Sequence, residues 1–172
     1  YYALVIGNDN YQHLENLNTA VNDAQSIAKI LDTKYGFRVT TLFDATRAQI
    51  TKALNGLRKD LTKDDNLLVY YAGTGTNETP GYWQPVAPEP DDDTNWISLL
   101  RIKRTVRGIQ STNVLLIVDS CYSGLVFRGD KAGASKSVDP ADEYRSLVQR
   151  KTRIALTSGG DEPVVDAVGN SE

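Results

Sequence analysis

Val114-Leu115-Leu116-Ile117-Val118 is a run of five aliphatic residues that turns polar at Asp119 and leads at once into Ser120 and Cys121. A continuous apolar run of strand length suits a strand covered on both faces, the usual state in a parallel sheet. In open α/β sheets the functional groups gather just beyond the carboxyl ends of the strands, and Cys121 sits at such an end. It is the only cysteine in the chain. A lone cysteine is often a small buried hydrophobe, but Ser120, Tyr122, Ser123 and Gly124 around it do not make a packed core. Cys121 therefore reads first as a nucleophile and second as a core residue.

The remaining chain supplies the rest of such a sheet. Tyr2–Ile6 is an apolar strand ended by Gly7-Asn8-Asp9-Asn10. His13, the only histidine, lies in the polar stretch that follows. Val21, Ala24, Ile27, Ala28 and Leu31 recur at helical spacing, with Gly36 at the exit. Arg38–Phe43 predicts a second strand, and Ile50, Ala53, Leu54, Leu57 and Leu61 a second helix capped near Asp44 or Thr46. Leu67–Ala72 predicts a third strand, ending in Gly73-Thr74-Gly75. Residues 76–95, rich in Pro, Gly, Asn and Asp, read as a loop or small hairpin carrying Trp83. A basic helix over Leu99–Arg107 leads into the central strand. Residues 128–139 read as an exposed flexible linker, followed by a short helix near Ala141–Gln149 and a last strand, Arg153–Thr157, closed by Ser158-Gly159-Gly160. Strands alternating with helices predict an α/β fold with a mainly parallel central sheet and helices on both faces.

Composition narrows the function. At 172 residues, the chain is long enough for one domain with a real core, and residues 1–172 are read as a single domain. The formal charge is −3 and no long basic run occurs, which gives nucleic-acid binding no support. One cysteine excludes an internal disulfide framework and makes a reducing, cytoplasmic compartment the default. No apolar run reaches membrane-span length and no signal-peptide pattern is present. The chain has no methionine and opens on Tyr1 at the first strand, so a domain excised from a longer protein, with other domains as partners, is expected.

Five segments then come in a recognisable order: Tyr2-Ala3-Leu4-Val5-Ile6-Gly7-Asn8, Asn22-Asp23-Ala24, Val69-Tyr70-Tyr71-Ala72-Gly73, Val118-Asp119-Ser120-Cys121-Tyr122-Ser123-Gly124 and Leu156-Thr157-Ser158-Gly159-Gly160. Together they resemble the caspase-like cysteine peptidases, specifically the bacterial orthocaspases and the metacaspases, over nearly the whole chain. The resemblance implies a three-layer α/β sandwich in which a Cys–His dyad hydrolyses peptide bonds. Cys121 matches the nucleophile, and backbone N–H groups near Cys121 and Gly75 would form the oxyanion hole. The thiolate is the attacking species, and a cysteine of ordinary pKa, ~8.5, is only a few per cent ionised at neutral pH. A neighbouring imidazolium lowers that value and later protonates the leaving amine.

The histidine of that dyad belongs between Gly73 and Gly75, where this chain has Thr74. Threonine can neither pair with a thiolate as a cation nor act as general acid, and losing such a group reduces rates by ~10²–10⁴ or more. His13 is the only other imidazole, and it reads more simply as a loop residue. Ala87-Pro88 after Pro85-Val86 also departs from the family's Asp-Ala, and the portion past the glycine-rich loop is expected to be missing beyond Glu172. The chain is thus expected to be a poor peptidase or, alternatively, a pseudopeptidase that serves as a protein-binding scaffold.

By the same resemblance, Asp23 and Asp119 floor the pocket for the residue before the scissile bond, with Ala72 and Ser158 as further lining. Two carboxylates would pair with Arg or Lys, so protein or peptide substrates cleaved after basic residues are expected. For Asp23 the alternative is a solvated helix-start residue; for Asp119, a strand-end cap. Arg128, Lys131, Lys136, Arg145, Arg150 and Lys151 could be sites of self-cleavage or simply a solvated basic stretch. No cofactor is expected. Asp91-Asp92-Asp93 offers hard oxygen ligands for Ca²⁺, although a solvated turn is the simpler reading. Gly73-Thr74-Gly75 is not a dinucleotide loop, because Glu78 stands at the third glycine and no helix follows.

Overall fold

In a computed structural model of the chain, residues 1–76, 78, 81–87, 93–120 and 151–158 are described. Cys121, Asp91, Asp92, the 128–139 segment, the helix expected near 141–149 and Gly159-Gly160 lie outside them. Five strands form one parallel sheet: β1 (Tyr2–Gly7), β2 (Arg38–Phe43), β3 (Asn66–Ala72), β7 (Asn113–Asp119) and β8 (Thr152–Thr157), in the order β2-β1-β3-β7-β8. Helix α1 (Ala20–Tyr35) covers one face; α2 (Arg47–Asp60) and α3 (Leu99–Gly108) lie on the other. The chain steps outward from β1 to β2, returns to β3 and then continues the opposite way. The β1–β3 boundary is therefore the point where strand order reverses, and the crevice beyond its carboxyl ends is where such sheets place their sites.

The strand sequences explain the two layers. Ala3 and Val5 of β1, with Leu68, Tyr70 and Ala72 of β3, point to α1, whose Ala20, Ala24, Ala28 and Leu31 form its buried stripe. Small residues on that stripe let the helix approach closely. At Gly7 a Cβ would fall 2.7 Å from both the Ala20 carbonyl oxygen and the Ala24 Cβ. Leu4, Ile6, Leu67, Val69, Tyr71, Leu116 and Val118 point the other way, against Ile50 and Leu54 of α2 and Ile102 and Val106 of α3. Thr46 caps α2 in a capping box with Gln49, and Gly36 ends α1 in the left-handed conformation at φ 66°.

Two details differ from the sequence reading. The 76–95 region contributes to a three-stranded antiparallel sheet, β4 (Gly75–Thr76), β5 (Tyr82–Trp83) and β6 (Ile97–Ser98), in place of a loop or single hairpin. Trp83, 1% exposed, anchors it by stacking on Tyr71 with ring centroids 4.1 Å apart. The central strand β7 is also less evenly covered than a run of five aliphatics implies. Val114, Leu116 and Val118 are buried while Leu115 and Ile117 are half-buried, because α1 packs over β1, β2 and β3.

Candidate active site

Three of the residues singled out from sequence meet at the carboxyl edge. Ala72 and Asp119 are register partners across β3 and β7, and the Gly73 N–H donates to the Asp119 carbonyl at 3.3 Å. Ser158 follows β8 and its N–H donates to the Val118 carbonyl at 3.1 Å, which sets it beside Asp119. The Asp119 side chain lies on the α1 face, since Val118 before it belongs to the opposite core. There its charge acts on the Tyr70 hydroxyl. Burial, first, and then the charges of Asp119 and Asp23 hold that hydroxyl far above the ordinary tyrosine range, so Tyr70 remains a neutral donor. Asp23, exposed in the first turn of α1, thus shares one electrostatic neighbourhood with Asp119 through Tyr70. The geometry gathers Ala72, Asp119, Ser158 and Asp23. Two carboxylates beside one neutral hydroxyl can hold a cationic group.

Thr74 is fixed by its backbone. Its N–H donates to the Tyr11 hydroxyl at 2.7 Å. Its carbonyl accepts from the Tyr71 hydroxyl at 2.9 Å and from the Gln84 N–H at 3.0 Å. Gly73, at φ 156°, is pressed between the two phenols: a Cβ there would lie 2.8 Å from the Tyr11 oxygen and 2.9 Å from that of Tyr71. Burial raises both tyrosines above their usual pKa, against hydrogen bonds from Thr74 that act the other way on Tyr11. Gly75 is buried in β4 opposite Trp83. Ser120, the residue before Cys121, is 6% exposed. His13 is exposed in the loop after β1, one residue past Gln12, whose N–H donates to Val86.

A second device sets the loop after β1. The Asp44 carboxylate accepts from the Asp9 and Asn10 N–H groups at 2.9 Å each and from Asn10 Nδ2 at 2.6 Å. Burial acts to raise its pKa, but the Asn10 and Asp9 hydrogen bonds outweigh it and hold the carboxyl below the usual range. Asp44 adopts φ 49°, an uncommon conformation for a residue with a side chain. Asn8, fully buried, accepts from the Ala45 N–H at 2.8 Å, tying β1 to the start of α2. None of Tyr11, Tyr71, Asn8 or Asp44 stands out in the sequence as a site residue; a tyrosine isolated in a polar loop was the one available signal. Asp93 opens a single 3-10 turn and accepts from the Tyr82 hydroxyl at 3.4 Å. Among the described residues no cluster of three His, Cys, Asp or Glu side chains is placed to hold a metal, and no helix is long and apolar enough to cross a membrane.

The family model of the caspase domain matches residues 1–162. Metacaspase-1B of Aspergillus niger is 26% identical over 148 residues, covering 71% of this chain and 32% of that protein. Metacaspase-1B of Aspergillus oryzae is 29% identical over 149 residues, covering 71% of this chain and 34% of that protein. The chain thus spans about a third of the length of the curated relatives it matches. A crystal structure of a Geobacter sulfurreducens protein superposes with a TM-score of 0.59 at 26% identity, covering 72% of this chain and 51% of that one.

Proposed function

The chain belongs to the caspase-domain family, and from that premise we propose a cysteine endopeptidase site built to cleave after Arg or Lys but strongly impaired by Thr74. Cys121 is the nucleophile, the Gly75 backbone belongs to the oxyanion hole, and Asp23 and Asp119 receive the basic side chain. The observation that supports this reading best is the meeting of Ala72, Asp119 and Ser158 at one carboxyl edge, where the charges of Asp119 and Asp23 both act on the Tyr70 hydroxyl. A guanidinium entering there meets two carboxylates at an exposed edge of the sheet, and bidentate pairing with one of them is the strong form of that contact.

Thr74 occupies the position from which an imidazole would lower the thiol pKa and protonate the leaving amine. Without it, little thiolate forms at neutral pH and the departing amine lacks an acid, an expected deficit of ~10²–10⁴ in rate or more. The substitution also supports a second reading, a pseudopeptidase that keeps the pocket and binds basic peptide segments without cutting them. Hydrolysis of a fluorogenic arginyl peptide by the protein, by Thr74→His and by Thr74→His/Cys121→Ala separates the two. Activity gained with histidine and lost with the cysteine supports the impaired peptidase. Silence in all three folded proteins, with arginyl-peptide binding retained, supports the pseudopeptidase. Activity with Thr74 in place that a Cys121→Ala change abolishes refutes the pseudopeptidase, and makes His13 the first other base to test.

A further inference from the structure

On the α2/α3 side of the sheet, α2, α3 and the small antiparallel sheet line a broadly open cavity of about 580 Å³. Arg47 and Arg58 of α2 and Arg101 and Arg104 of α3 line it, and Asp93 is the only carboxylate among the described lining residues. The described lining residues therefore carry four positive charges against one negative, in a chain whose net charge is −3. The concentration is local. Helices α2 and α3 carry eight basic residues (Arg47, Lys52, Arg58, Lys59, Arg101, Lys103, Arg104 and Arg107) and one acidic residue, Asp60.

We propose that this cavity is a binding site for a phosphorylated small molecule of the nucleoside di- or triphosphate class. Four arginines lining one cavity concentrate positive charge there, and a compact polyanion complements it. The cations on the wall are all arginine although lysines are available on both helices, and arginine presents the planar fork that matches phosphate oxygens. Two of them are braced. Arg47 Nε donates to the Trp96 carbonyl at 3.2 Å, and Arg58 lies across Gly108, where a Cβ would come within 3.1 Å of its Nε. The opposite side of the cavity is aromatic. Tyr82 and Trp96 line it edge to face, with centroids 5.4 Å apart, and offer ring surface to a base. The volume falls within the usual span for small-molecule sites. Arginines alone would suit any polyanion; arginines together with two aromatic rings in one cavity favour a nucleotide.

Calorimetric titration of the whole chain with sodium tripolyphosphate, ATP and adenosine, in EDTA, tests the assignment. Binding of ATP and tripolyphosphate, with ATP tighter, is the expected result; equal affinities keep the phosphate site and refute the aromatic contribution. The Arg101→Gln/Arg104→Gln protein, altered at two exposed helix positions, should bind ATP about tenfold more weakly or worse. Lys29→Gln/Lys34→Gln, the same charge loss on exposed positions of α1, should leave affinity within about twofold. Absence of ATP binding, adenosine binding as well as ATP, or equal losses in both variants overturns the proposal. A single-stranded oligonucleotide that competes with ATP and tightens with length would replace it with a nucleic-acid surface.

Discussion

Gly73→Ala probes the support under position 74 directly. The added methyl carbon would lie 2.8 Å from the Tyr11 hydroxyl oxygen, 2.9 Å from that of Tyr71 and 3.1 Å from Tyr71 Cζ. Separations below 3.0 Å force something to move. Tyr71 is fully buried and stacked on Trp83, so it has no room to yield. Overpacking of this kind costs about 1–3 kcal/mol, and φ 156° with a side chain adds strain of order 1–3 kcal/mol. A loss of about 3 kcal/mol or more is expected. Tyr11→Phe removes the acceptor of the Thr74 N–H and should cost about 1–3 kcal/mol. It also removes the nearer of the two clashing oxygens, so the double variant should fall short of additivity by about 1 kcal/mol or more. The Tyr71 contacts remain, and relief is only partial.

The assay is equilibrium urea unfolding followed by tryptophan fluorescence, to which the stacked Trp83 contributes. Gly36→Ala is the control. Its φ is 66°, yet no atom lies within 4 Å of the new methyl, so it costs backbone strain alone and should add to Tyr11→Phe without coupling. Additivity of Gly73→Ala with Tyr11→Phe within about 0.5 kcal/mol, or a Gly73→Ala cost below about 1 kcal/mol, would refute the clasp.

Two further outcomes concern pH. Asp44→Asn should destabilise by about 1–3 kcal/mol at neutral pH, because the charged acceptor of three hydrogen bonds is lost. The folded-state pKa of Asp44 is depressed, so its contribution is present above the unfolded value near ~3.9 and is lost as pH falls through the folded value. Urea midpoints of the two proteins should therefore converge on going from pH 7 to pH 3; a constant gap would contradict the assignment. Tyr11, Tyr70 and Tyr71 are held above the usual tyrosine range, chiefly by burial. The stability they support is complete below the unfolded value near ~10 and declines as pH rises through it toward the folded values. Phenolate absorbance should show these three of the nine tyrosines ionising only as the chain unfolds; all nine titrating together in a folded chain would contradict their burial.

What the sequence disclosed was what repeats locally. The aliphatic runs of β1, β3 and β7 and the helical spacing of α1 and α2 carry their own period, and each element formed where that period lies. Strand order was not legible, because it depends on which face each crossover helix takes, and α1 and α2 are both plain amphipathic helices. Asp23, Asp119, Ala72 and Ser158 are singled out by the order of motifs rather than by chemistry visible in any one of them. The clasp on Thr74 was missed because it joins positions 63 residues apart by a side-chain-to-backbone bond, which leaves no trace in local patterning. Asp44 was taken as a helix-cap candidate; Thr46 does that work, and Asp44 instead folds the loop after β1 over itself. The arginine cavity was half-visible: α3 read as basic, but its partners on α2 stand more than 40 residues earlier.

The way Thr74 is held separates scaffold from chemistry at this position. Its hydrogen bonds to Tyr71 and Gln84 and its 2.7 Å bond to Tyr11 use the backbone N–H and carbonyl, its side chain also interacts with the Tyr11 hydroxyl, and Gly73 beside it supplies the close approach. A different side chain at 74 leaves the three backbone bonds available and forfeits only the side-chain contact with Tyr11, whereas any side chain at 73 breaks the fit. Thr74→His should therefore cost no more than about 1.5 kcal/mol of stability, the usual net worth of one hydrogen bond. If that variant is folded and still fails to hydrolyse an arginyl peptide, a displaced loop is not the reason. The fault then lies with Cys121 or with the Asp23–Asp119 pocket, and the pocket is examined separately by whether the peptide binds.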